Sequence, residues 1–282
     1  MVSGILNIYK PSGITSSDVV GIVRKKLGIK AVGHMGTLDP IGEGVLLVGV
    51  GKGTRLFDYF LKKRKTYEAT FLFGAETDTL DRTGAVIKTT TVVPSQQEIE
   101  NACKKMIGAQ SQLPPAYSAK SVGGVRAYAL ARQGKEVSLR PANIEIYDMY
   151  LKEAVRKNEY RFVIDCSAGT YIRSICRDLT YSTGSLANMT SIKRVKSGPY
   201  EASDGVNPSE VSWSDVIPLE KALFELPRVD FPVEMFKKIS NGVGVECSEQ
   251  FSAFRMYCDG ILFGIGSIKN GLAKISVYLK ED

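Results

Sequence analysis

The chain has 282 residues, 37 Lys and Arg against 30 Asp and Glu for a net charge of +7, and a single histidine, His34. That length suggests two domains at roughly 150 residues each, and a 44% hydrophobic, 24% charged make-up fits an ordinary globular protein with a packed core. One histidine excludes a multi-histidine zinc or iron site, and it leaves any Ser–His–Asp or Cys–His mechanism only His34 to run through.

Taken in order, the segment Met1–Lys10 lacks the basic start and long apolar run of a signal peptide. No apolar stretch approaches the ~18–20 residues of a membrane span, so a cytoplasmic protein without a membrane partner is expected. Ser16 or Ser17 caps a helix whose apolar positions are Val19, Val20, Val23 and Leu27, closed by Gly28. The run Val45–Val50 reads as a buried strand, and Tyr67–Phe73 as another. Ser95 and Glu98 form a capping box ahead of Ile99, Cys103, Met106 and Ile107, with Gly108 as the stop. A strand over Tyr160–Cys166 puts Phe162, Ile164 and Cys166 on one face. A helix then starts near Thr170–Tyr171, buries Ile172, Ile175, Cys176 and Leu179, and ends at Gly184. Pro218, Pro227 and Pro232 mark a linker region, after which Gly260–Ile268 is strand-like. These elements predict a mixed α/β catalytic domain over residues 1–225 and a small β-rich module over 226–282. The cysteines Cys103, Cys166, Cys176, Cys247 and Cys258 contain no C-x-x-C pair, which argues for reduced thiols rather than disulfides or a zinc ribbon.

The charge is unevenly placed. Residues 226–282 hold seven basic and seven acidic side chains, which leaves 30 basic against 23 acidic in residues 1–225. The basic runs there are Arg24–Lys26, Lys62–Lys65 and Lys193–Lys196. Such runs suit a polyanion, because they attract phosphate whatever the sequence; any one of them is equally well read as a solvated face.

Three loops carry candidate chemistry. Gly33–Gly44 contains four glycines around His34, with Asp39 held before Pro40 in extended backbone. A fixed carboxylate there is a candidate nucleophile, general base or ion-pair partner, although Asp-Pro more often makes a plain turn. In Phe73–Gly84, Asp78 and Asp81 with Glu76 suggest a Mg²⁺ site, against which a hydrogen-bonded turn is the stronger reading. In Cys166–Ser174, Arg173 falls in the first turn of a helix, where it can orient a carboxylate or contact a phosphate.

Together these segments resemble the TruB-type tRNA pseudouridine synthases, which isomerise uridine 55 in the T loop. The resemblance runs in order through Gly4–Ser16 (with K-P-S-G-I-T-S), His34–Pro40 (H-M-G-T-L-D-P), Lys65–Ala69, Gly74–Gly84, Leu113–Lys120 with Tyr128–Arg132, and Gly169–Arg173. It implies an α+β pseudouridine-synthase domain with a central, largely antiparallel sheet flanked by helices. It also implies an RNA-clamping insertion at about 110–141 and a PUA-like C-terminal module.

Carried over by residue, Asp39 matches the catalytic aspartate, which attacks either the base or the sugar. Tyr67 matches the tyrosine that stacks on the target uracil, and Arg173 the arginine that pairs with the aspartate. His34 and Tyr171 line the pocket, and Ile192 stands where the family usually has leucine. The resemblance implies a standalone, monomeric enzyme acting on the tRNA T arm by base flipping, with no metal, no cofactor and no obligate protein partner. Extruding a base costs a few kcal/mol, which phosphate contacts and stacking offset. The runs Lys62–Lys65 and Lys193–Lys196 bracket Tyr67 and Ile192. Departures from the pattern are Ser121–Val125, where relatives carry a lysine and an aromatic, and Gly42–Glu43. Three rivals are a non-catalytic tRNA-binding or folding protein, a guide-RNA-dependent relative, and a Mg²⁺-dependent hydrolase at Asp78 and Asp81.

Overall fold

The computed structural model describes residues 3–118, 120–122, 124–133 and 138–281. Within them, ten strands form one large sheet. Its main path runs Ile217–Pro218, Gly4–Lys10, Gly42–Val50, Ala187–Ser197, Lys65–Phe73, Glu159–Cys166, Ala142–Arg156 and Gly108–Gln112, with Val32–His34 and Tyr200–Glu201 paired at its side. Its ladders are antiparallel except where Ile192–Arg194 meets Gly42–Gly44 in parallel. The expected α+β class and largely antiparallel sheet are both present.

The near-continuous apolar runs of Gly4–Lys10 and Gly42–Val50 follow from cover on both faces. On one face Leu6, Ile8, Leu46 and Val48 pack with Val19, Val20 and Val23 of the helix Ser16–Leu27. On the other, Ile5, Val45 and Leu47 pack with Leu223, Ile265 and Leu279. Further along the sheet, the helices Gln96–Met106 and Ile172–Ser182 cover Phe71, Phe162 and Ile164. The predicted shared face of Phe162, Ile164 and Cys166 is fully buried there.

One helix cap and one connection differ in detail from expectation. The first helix is capped by Thr15, not by Ser16 or Ser17: the Thr15 hydroxyl accepts from the Asp18 amide at 3.0 Å, and the Asp18 carboxylate accepts from the Thr15 amide at 2.8 Å. That box leaves the Ser16 side chain free to turn inward. The later helix starts where expected, at Ile172 with Tyr171 as its cap residue. The expected linker is structured: Pro218 adds a rung beside Gly4, and Leu219, Ala222 and Leu223 are buried.

Beyond it lies a second sheet, ordered Arg228–Phe231, Phe254–Cys258, Ile261–Lys269, Leu272–Tyr278 and Val245–Glu246. Its own core is built on Phe231, Phe254, Met256 and Phe263. It is bound to the large sheet by the shared apolar cluster and by direct hydrogen bonds. Arg55 donates to the Tyr278 carbonyl at 2.8 Å, and the Ser3 amide donates to the Glu281 carboxylate at 2.7 Å.

The excursion at 113–141 leaves and re-enters at a single rung, because Gln112 pairs with Ala142. It contains the short ladder of Ser121–Val122 with Val125–Arg126 and the helix Ala127–Arg132. Ala119, Gly123 and residues 134–137, with the side chains of Ser121, Val122, Val125, Arg126, Ala129 and Arg132, lie outside the described residues, so most of the departure at Ser121–Val125 does too. Among the described residues no helix is long and apolar enough to cross a membrane.

Candidate active site

The loop between Val32–His34 and Gly42–Val50 carries Asp39, and its shape is imposed from several sides. Gly36 sits at φ 113°, a conformation that side-chain-bearing residues rarely adopt. The Ser16 hydroxyl, in a residue 2% exposed, donates to the Leu38 carbonyl at 3.1 Å and accepts from the Leu38 amide at 3.0 Å. Gly42 closes the turn by donating its amide to the Asp39 carbonyl at 2.9 Å. Lys10, fully buried, donates through Nζ to the carbonyls of Pro11, Ile14 and Pro40 at 2.9, 2.7 and 3.4 Å. Burial pulls its pKa down to about 8 against the opposing pull of Asp39.

Asp39 meets Arg173 across 134 residues of sequence in a bidentate pair. Nε donates to Oδ2 at 2.8 Å and Nη2 to Oδ1 at 3.0 Å. The arginine is spent on this role: Nη1 also donates to the Thr79 carbonyl and Nη2 to the Tyr117 carbonyl, each at 3.0 Å. Asp81 Oδ2 stands 3.8 Å from Nε. The Arg173 side chain is 7% exposed and that of Asp39 30%, so the pair buries its cation and presents its carboxylate outward. Asp78, Leu80 and Ala116, neighbours in sequence of Thr79 and Tyr117, line an adjoining cavity of about 380 Å³ with Arg177.

The other predicted residues converge on this loop to different degrees. Tyr67 is buried in one apolar cluster with Leu38, Ile172 and Ile192. Burial raises its hydroxyl's pKa, while the positive charge of Arg194 works the other way. Ile192 lies on a rung between Gly42 and Ala69, so the leucine-to-isoleucine swap keeps an apolar wall beside the loop. Tyr171, half-buried at the helix start, feels the charges of Arg173 and Asp39. His34 pairs with Val48 on the loop's entry strand. Its Nδ1 has no hydrogen-bond partner among the described residues, and burial followed by Arg194 lowers its pKa, which favours the neutral ring.

The carboxylates of the Asp78 loop act as turn acceptors. Asp81 Oδ1 takes Thr79 Oγ1, Thr83 N and Thr83 Oγ1 at 2.8, 2.9 and 2.6 Å, and Asp78 takes the Ala85 amide at 2.9 Å and the Tyr117 hydroxyl at 3.2 Å. Among the described residues no three His, Cys, Asp or Glu side chains gather in a metal-binding group. Two basic runs are less available than their sequence suggests. Lys65 is buried and donates to the Phe60, Leu61 and Lys63 carbonyls, while Lys63 and Arg64 pair with Glu225 and Asp165. Arg194 is 3% exposed and faces inward.

Sequence reasoning missed four residues that shape the site: Lys10, Ser16, Gln112 and Arg194. Gln112, 2% exposed, clasps the Tyr171 peptide from both ends, donating to its carbonyl at 3.1 Å and accepting from its amide at 2.8 Å. Nothing in its local sequence signals that. Lys10 and Ser16, by contrast, stand inside the K-P-S-G-I-T-S segment already singled out.

Comparison with known proteins points to one family. Residues 24–172, just over half of the chain, match the model of the TruB family pseudouridylate synthase (N terminal domain). The tRNA pseudouridine synthase B of Thermosipho melanesiensis is 43% identical over 85% of this chain and 79% of its own. That of Rickettsia akari is 39% identical over 97% of each chain. Among solved structures, a chain of a Cbf5-Nop10-Gar1 complex covers 98% of this chain and 84% of its own with a TM-score of 0.73. At 22% identity that likeness is one of fold.

Proposed function

The chain belongs to the TruB family of pseudouridylate synthases, and from that premise we propose that it isomerises uridine 55 in the tRNA T loop to pseudouridine, with Asp39 as nucleophile. The observation that carries the reading is the Asp39–Arg173 pair, whose carboxylate faces outward while its arginine is anchored to two carbonyls. Binding alone needs no such carboxylate. In the reaction the N1–C1′ bond breaks, the detached uracil turns, and C5 bonds to C1′; the C5 proton passes to water and N1 is left protonated. Asp39 returns as a carboxylate, so nothing is consumed. Tyr67 supplies the stacking face, Tyr171 and His34 line the flipped base, and Ile192 completes an apolar wall.

In this reading residues 1–225 are the catalytic domain, 110–141 its RNA-clamping insertion and 226–282 a PUA-like module. The enzyme works in the cytoplasm as a monomer, without guide RNA, metal or protein partner. The net charge of residues 1–225 supports contact with the T arm, as does the relatives' naming as tRNA enzymes. Unmodified tRNA tritiated at uridine C5 tests it: the protein alone should release label stoichiometric with uridine 55. No release, or release that needs added guide RNA or metal, sinks the proposal.

A further inference from the structure

We propose that Arg194 is a positioning residue that locks the Asp39 loop and Tyr67 to one strand, fixing the nucleophile relative to the stacking ring; this rests on the synthase reading above. In sequence Arg194 belongs to a basic run, where it reads as a phosphate contact, but at 3% exposure it cannot reach one. Taking a guanidinium out of water is costly unless its donors are met. Here they are met by backbone carbonyls rather than by a carboxylate. Nε donates to Val45 O at 2.7 Å, Nη2 to Gly36 O at 3.1 Å and Nη1 to Thr37 O at 3.4 Å. Gly36 and Thr37 lie three and two residues before Asp39, and Val45 lies where the chain has re-entered the sheet. One planar fork therefore spans both ends of the loop.

The backbone repeats the arrangement. Arg194 stands on a single rung with Gly44 on one side and Tyr67 on the other. A Cβ on Gly44, which has φ 99°, would lie 2.3 Å from the Arg194 carbonyl oxygen, so the approach admits no side chain. The guanidinium's charge also acts on the Tyr67 hydroxyl, opposing the rise that burial imposes on its pKa. The loop is thus tied to Arg194 through side chain and main chain, and Tyr67 through the shared rung. Burial is the main cause that lowers the pKa of His34, Lys10 and Lys65, and the charge of Arg194 adds to it at each.

The test compares Arg194→Lys and Arg194→Met with the wild type in single-turnover tritium release, in tRNA binding and in the ¹H NMR titration of the lone histidine. Lysine keeps the charge but not the fork. Arg194→Lys should therefore slow single turnover at least thirtyfold with tRNA affinity within threefold, and leave the His34 midpoint near the wild-type value. Arg194→Met should raise that midpoint. A wild-type rate in Arg194→Lys, or a rate loss matched by lost affinity or lost folded fraction, overturns the proposal. If Arg194→Met does not fold, Arg194→Lys decides. If the wild type releases no tritium the synthase reading fails, and the Arg194 assignment falls with an Arg194→Met midpoint equal to the wild type's.

Discussion

The Ser16 hydroxyl and the Leu38 peptide exchange two hydrogen bonds, one in each direction, in a pocket closed to water. The residue after Leu38 is Asp39, so this pair sets where the proposed nucleophile leaves the core. Ser16→Ala strands a buried amide and a buried carbonyl, each worth about 1–3 kcal/mol when left unmet. The expected outcome is a loss of at least about 2 kcal/mol in urea unfolding, two such penalties at their low end. Single turnover should slow while tRNA affinity stays near wild type, because the pair touches no phosphate.

Asp39→Asn keeps the size of the side chain and one acceptor oxygen toward Arg173 but removes the proposed nucleophile. Tritium release should vanish, with tRNA affinity changed less than about tenfold, roughly 1.4 kcal/mol. Retained turnover in this variant would remove Asp39 from the nucleophile role.

Arg173→Lys should be poorly tolerated although the charge is kept. Arg173 serves four acceptors: both Asp39 oxygens and the carbonyls of Thr79 and Tyr117. An ammonium cannot reproduce that planar geometry. Single turnover should fall at least a hundredfold, about 2.7 kcal/mol of transition-state stabilisation, with a smaller change in affinity. Equal losses in rate and affinity would instead make Arg173 an RNA contact.

Much of the fold was legible in sequence because it leaves local marks, whereas the pairing of Asp39 with Arg173 came from the family resemblance. The helix caps at Ser95 and Gly28, the alternation of Phe162, Ile164 and Cys166, and the loop around Asp-Pro are short-range patterns. What was not legible depends on which face a residue takes in three dimensions. Lys65 and Arg194 look like surface charge in a basic run, yet period-two alternation along their strands turns both inward beside Tyr67. Gln112 clasps Tyr171 across 59 residues, a contact fixed only once its strand and the helix start are in place. Thr15 took the cap predicted for Ser16 because Asp18 completes a reciprocal box with it, leaving Ser16 to serve Leu38.

Lys10 makes pH a probe of the same loop. Its ammonium is fully buried against three carbonyls, and burial brings its pKa down from 10.5 to about 8. Between about 8 and 10.5 the unfolded chain holds a proton that the folded protein has released, so stability rises with pH across that window. Below about 8 the group is protonated in both states and the cost of burying the charge is fully present. Lys65, also brought to about 8, contributes in the same sense. Lys10→Met should therefore show a shallower rise in unfolding free energy between pH 8 and pH 10 than the wild type, measured in urea at each pH. Turnover should move the opposite way: as wild-type Lys10 loses its proton, it loses donor capacity toward Pro40, the residue after Asp39, and single turnover should decline on the alkaline side. Identical stability slopes in the two proteins would show that Lys10 keeps its proton through the window.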